Sequence, residues 1–284
     1  MKTEPKKEIE VANALNAAAQ QVKGGVVPID ADLAAMLAGD AGMGKQEISS
    51  ADMAIPRLAV LQSGSPQVIK GKAEYVDGAV AGMIYDSVLN RAYSGETGII
   101  VIPVSYRRAY LEWITRKAGG GFVADHGNDE SVLAKCKVDA ETKANITPEG
   151  HEIVLTAEYF SFIVNPDSSV NPVILSMAKT QHRKARVWNT LINQLEIPNP
   201  AGGEGTINPA MFYRSYHLTT VPESNDKGNW FGWKIEGAKM TLELPRGREI
   251  YMRARKFFAD IQAGAVKVAA PVEGGTTEDE NAPM

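Results

Sequence analysis

The sequence predicts an α+β fold in which a mostly antiparallel sheet or small barrel carries two inserted or flanking helices. Three observations lead there. Short runs of β-branched and aromatic residues recur between turns marked by glycine and proline, as in antiparallel strands. Two segments, 180–195 and 248–261, instead repeat their apolar residues at helical spacing. The 284 residues are 44% hydrophobic and 23% charged, an ordinary composition for a chain that buries a core.

Taken in order, residues 1–50 are rich in Ala, Gly and polar side chains and read as a flexible arm. It holds a weak helical pattern over Ile9–Val22 and a second short helix over Asp30–Leu37. The stretch Gly39-Asp-Ala-Gly-Met-Gly44-Lys45-Gln46 is close to a phosphate-binding loop. Gln46 stands where a Ser or Thr should hold magnesium, and a helix-like segment precedes it where a buried strand is required, so it reads as a loop. The body, 51–264, opens with the strand-like run Ile55–Gln62, followed by turns and short strands over Tyr75–Asp86. Gly98–Val104 is the clearest strand and runs on towards Trp113; residues 117–150 are a glycine-rich, polar excursion. Glu152–Val164 and Pro172–Met177 are strands. Thr180–Leu195 is a helix with Trp188, Leu191, Ile192 and Leu195 on one stripe. Phe212–Val221 and Trp230–Glu236 form a hairpin, with either Phe212, Tyr216 and Leu218 inward or the reverse. Lys239–Leu244 adds a last strand, and the helix Arg248–Ile261 turns Ile250, Ala254, Phe257, Phe258 and Ile261 inward. Residues 265–284 read as a disordered tail, with four acids from Glu273 onward and no base after Lys267.

Several chemistries lack their residues. The single Cys136 excludes an internal disulfide, and the amino end has no signal-peptide core, so the cytoplasm is the expected compartment. No run of about 18 apolar residues offers a membrane span. His126, His151, His182 and His217 lie far apart in sequence, without metal-ligand spacing. No nucleophile elbow, Cys–His pairing or two-metal carboxylate set stands out, and Pro166-Asp167 lacks a downstream acid-x-Lys element. The expectation is a protein without catalysis, cofactor or metal.

What stands out is interleaved aromatic and basic residues. In VIPVSYRRAYLEW, period-two alternation puts Tyr106, Arg108 and Tyr110 on one face and Arg107, Leu111 and Trp113 near the other. Rings stack on unpaired bases and arginines neutralise phosphates. An amphipathic strand with one aromatic face in the core fits this stretch equally well. Lys179, Arg183 and Arg186 share a helical face, and no acid interrupts the run from Lys179 to Arg186, which favours an anionic partner. Tyr213 and Arg214 join the candidates from the hairpin, where Trp230, Phe231 and Trp233 also cluster.

Taken together, IPRLAVLQSGSP (55–66), VIPVSYRRAYLEW with the GGGF that follows, TQHRKARVW (180–188) and the YRSYHLTT…GNWFGWKIE hairpin resemble a phage-encoded single-stranded DNA-binding protein. That resemblance implies an oligonucleotide-binding (OB-like) barrel with a cationic groove, acting in replication or recombination. It also implies an acidic tail that recruits replication or recombination proteins, although this tail ends Asn-Ala-Pro-Met rather than in an aromatic plug. A phage virion structural or assembly protein is the competing expectation. Site size, DNA against RNA, and oligomeric state, homo-oligomers included, stay open.

Overall fold

Two long runs of alternating residues build the centre of the molecule, seen in a computed structural model that describes residues 30–48, 52–226 and 228–266. The chain divides into two units, Met1–Ile48 and Ser49–Met284. In the first, Asp30 caps helix α1 (Ala31–Gly39) by accepting from Leu33 N at 2.8 Å. The phosphate-loop-like stretch follows as exposed turns, so it lacks the strand such a loop needs. The pattern over Ile9–Val22 and the tail from Lys267 lie outside the described residues.

The second unit holds β1 (Arg57–Val60), β2 (Ile84–Asp86), β3 (Arg91–Tyr93), β4 (Ile99–Ile114), β5 (Phe122–Asp125), β6 (Lys137–Val138), β7 (Asn145–Ile146), β8 (His151–Val164) and β9 (Val170–Ala178). Helix α2 (Thr180–Asn193) follows, then the ribbon β10 (Ile197–Pro198) and β11 (Thr206–Ile207), the hairpin β12 (Arg214–Asn225) and β13 (Gly228–Met240), and helix α3 (Gly247–Gln262). The fold is α+β. Its main sheet has the order β13-β12-β4-β8-β9-β1-β2-β3, all antiparallel except the β1–β9 pair, and curls as a half-barrel.

Each face of the sheet carries one helix. Ala157, Tyr159, Ile163, Val173, Leu175 and Met177 pack with Ala185 and Trp188 of α2. The alternate residues Phe160, Phe162 and Ile174 pack with Ile250, Ala254 and Phe257 of α3. The buried line of α2 runs Gln181, Ala185, Trp188, with Ile192 packed against the same cluster, so Leu191, one residue off that line, is exposed, contrary to the expected stripe. Phe258 is likewise exposed on α3. In the hairpin, Phe212, Tyr216 and Leu218 are buried, which settles the open alternative. Tyr159 anchors α2: its ring lies 4.3 Å from Trp188, and its hydroxyl reaches Ala185 O (3.0 Å) and Asn189 Oδ1 (2.8 Å).

Local irregularities shape the sheet. Pro103 cannot donate to a ladder, and a bulge between Pro103 and Ser105 absorbs one residue of β4. Before it Ile99 and Val101 face the α2 side; after it the even residues do, with Tyr106 opposite Tyr159. At the seam of the curl, the Gln62 amide donates to Phe231 O (2.9 Å) and accepts from Phe231 N (2.8 Å), filling the place of a neighbouring strand on β13. Gly95 sits where a Cβ would strike the Gly82 carbonyl and the Thr220 hydroxyl. The expected last strand is instead the end of β13 followed by a 3-10 turn, Thr241–Glu243. The excursion 117–150 holds β5 to β7, strands too short to show a period.

Glu158 of β8 is fully buried and is held by two arginines. Arg57 Nη1 is 2.5 Å from its Oε1, and Arg107 Nε 2.6 Å from its Oε2. Ser176 Oγ accepts from Arg57 at 2.8 Å, and Arg107 continues to Asp125 at 2.5 Å. Removing the carboxylate would leave two cations facing one another. Glu158→Ala is expected to lower the unfolding free energy by about 3–5 kcal/mol in a urea titration. Lys256→Ala, which breaks an exposed i,i+4 pair with Asp260, should cost only about 0.3–0.5 kcal/mol.

Candidate functional site

The α2 side of the sheet carries a run of cations, two of which have no acid partner among the described residues. Helix α2 opens at Lys179, whose backbone (φ 48°, ψ −121°) lies where non-glycine residues are rare. Its ammonium is tied to Glu152 at 3.0 Å. One turn on, the exposed Arg183 and Arg186 have no guanidinium partner among the described residues. Arg108 reaches the same region from β4: burial holds the His182 pKa below its ordinary value, and the charges of Arg186 and Arg108 push it further down. Tyr106, 37% exposed, lies 5.3 Å from Tyr159 and leaves part of its ring to solvent. Tyr106, Arg108, Arg183 and Arg186 thus form one basic, partly aromatic surface, drawn from a strand and a helix far apart in sequence.

Beside it, a cleft of about 770 Å³ opens between α2 and the β12–β13 hairpin. Val187 and Leu191 line it from the helix, Trp230 and Trp233 from the hairpin, with buried Trp188 among them. Its acid is occupied: Glu223 pairs with Lys184 and accepts from Trp230 Nε1 at 2.8 Å. Arg183 also lines the cleft.

The remaining sequence candidates lie elsewhere. Arg107 is committed to Glu158 and Asp125, and these two anions outweigh burial to raise its pKa. Tyr110 (1% exposed) and Trp113 (7%) are core residues, so neither offers a ring face for stacking. Trp113 meets Phe122 edge-on at 5.5 Å, and the Tyr110 hydroxyl accepts from Arg108. Tyr213 belongs to the 3-10 turn before β12, and Arg214 packs over Gly237; neither lines the cleft. Val187, Leu191 and Glu223 were not singled out from the sequence as site residues, and Trp230 was named only as part of the aromatic hairpin. The available signal was the i, i+4, i+8 line Arg183-Val187-Leu191, which places two large apolar side chains beside a cation.

The scattered histidines are partly brought together. Glu112 on β4 accepts from His126 Nε2 (2.8 Å) and His151 Nδ1 (2.7 Å), because β8 begins opposite the end of β4. Among the described residues no group of three such side chains is arranged to hold a metal. No helix there is long and apolar enough to cross a membrane.

With this geometry in place, the chain belongs to the family described as Pam3 phage gp34-like protein, whose model matches residues 22–267. It is a bacteriophage protein. No curated protein and no solved structure matches it.

The histidine clamp carries a pH signature. The hydrogen bond from His151, then that from His126, hold the Glu112 carboxyl below its ordinary 4.5 despite partial burial. A depressed carboxyl stabilises the fold above its unfolded pKa and loses that contribution as pH falls through the folded value. Glu112→Gln should be less stable than the parent well above pH 4.5, with the gap closing in acid, as urea titrations at both pH values measure.

Proposed function

We propose that this phage protein binds single-stranded DNA, without catalysis, across α2 and the adjoining strand β4. The observation that carries the reading is the pair Arg183 and Arg186, two exposed guanidiniums without acid partners among the described residues, beside Arg108 and the partly exposed ring of Tyr106. On a helix meant only to be solvated, acids at neighbouring turns would normally pair such groups. The curled sheet takes the part that the sequence resemblance gives to an OB-like barrel, with Tyr106 and Arg108 of β4 facing the basic groove beside α2. Replication or recombination fits such an activity in a phage, and the acidic residues 273–284 are the segment by which a protein partner would be recruited.

The charge inventory sets the magnitude. Arg107, Lys179 and Lys184 already face carboxylates at close range. Arg108 meets only the exposed Glu130 at 3.4 Å, a weak surface pair that a phosphate can displace, leaving Arg108, Arg183 and Arg186 for phosphates. About three neutralised phosphates give a slope of log affinity against log salt near −2 for a single strand. Arg183→Ala with Arg186→Ala should bring it to about −0.7 while leaving the melting temperature unchanged. Oligothymidine titrated by fluorescence anisotropy at several salt concentrations measures both. Tighter binding to duplex of equal length, or a slope near zero, ends the reading. A protein that assembles into particles without DNA and shows that flat slope would be a virion component instead.

A further inference from the structure

We propose, resting on the strand-binding reading above, that the cleft beside α2 is a slot for one unstacked base of the bound strand. Its volume of about 770 Å³ falls in the range of roughly 300–1,000 Å³ over which proteins enclose small ligands. Its lining suits a flat, apolar-faced ring. Val187 (57% exposed) and Leu191 (49%) are large apolar side chains that no described residue covers. Trp230 lines the same cleft from β13, its indole N–H fixed on Glu223 Oε2 at 2.8 Å, so the ring is oriented before any ligand arrives.

The polar groups specify how the slot reads its occupant. Glu223 is spent on Lys184 and Trp230, with Gln181 Nε2 at 3.4 Å, so it neither repels a phosphate nor offers a free acceptor to a base edge. Lys179 is held by Glu152. Arg183 stands one turn from Val187 and two from Leu191 and keeps its charge free for the phosphate beside an inserted base. Selection therefore comes from stacking and shape, which tolerates any base and requires that a base be present.

The test compares labelled oligothymidine with an oligomer of equal length and charge whose sugars carry no bases, by anisotropy at fixed low salt. The parent should prefer oligothymidine by about 5- to 150-fold, the effect of one stacked base. Trp230→Leu, and separately Leu191→Asn at an exposed position, should each cut that preference about fivefold or more while leaving abasic affinity unchanged. Trp230→Phe, which restores a ring, should keep most of it. A preference that survives in both Trp230→Leu and Leu191→Asn, or is missing in the parent while both oligomers bind, overturns the slot and leaves the strand-binding reading standing. If neither oligomer binds, that reading falls and the slot with it.

Discussion

A carboxylate shut away from water, Glu158, ties the middle of the sheet together. An ion of this kind is tolerated in a protein interior only when its charge is matched and its lone pairs are occupied. Here Arg107 approaches from the neighbouring strand β4 and Arg57 from β1, across β9 and the hydroxyl of Ser176. The demand is structural as well as electrostatic. Strand β1 is four residues long and joins β9 through the one parallel pairing in the sheet, Arg57↔Ile174 and Leu58↔Leu175. So short a ladder is a weak anchor. The ion pair supplies a second, directional one, and β2 and β3 hang from β1 in turn.

The bulge at Pro103–Ser105 decides which arginine serves the core and which the surface. Because strand side chains alternate, one inserted residue turns every later side chain over. Without it Arg107 would face α2, and Tyr106 rather than an arginine would stand opposite Glu158. With it, Arg107 completes the buried network while Arg108 and Tyr106 emerge next to the helix that carries Arg183 and Arg186. The basic surface is thus a by-product of how the core balances its charge.

Much of this architecture was legible in the sequence, for reasons that particular residues make plain. Strands β4, β8 and β9 and helices α2 and α3 are long enough for their periods to show, and the alternation from Tyr106 onward correctly separated Arg107 from Arg108. Burial depth was not legible, because alternation assigns a face but not what covers it; Tyr110 and Trp113 therefore looked like stacking rings. Pairing of charges was hidden as well. Glu158 sits 101 residues from Arg57, and inside TAEYF it reads as an ordinary surface acid. Lys179 and Lys184 looked free because their acids, Glu152 and Glu223, belong to other strands. The cleft depends on the β12–β13 hairpin lying against α2, a tertiary fact that no local pattern encodes.

The seam of the half-barrel rests on an amide. Gln62 gives Phe231 the donor and acceptor that a strand would give, and Gln181 Oε1 accepts from Trp233 N at 2.9 Å on the same strand. Two neutral side chains thereby mask the outer edge of β13, which another sheet would otherwise extend. Neither salt nor pH loosens such a lock, since nothing in it titrates. Chemistry does: hydrolysis of the Gln62 amide exchanges a donor for a second anionic oxygen with almost no change in size, setting a carboxylate against the Phe231 carbonyl. A slow ageing reaction at one atom would then uncover a pairing edge and leave it open to a strand from elsewhere.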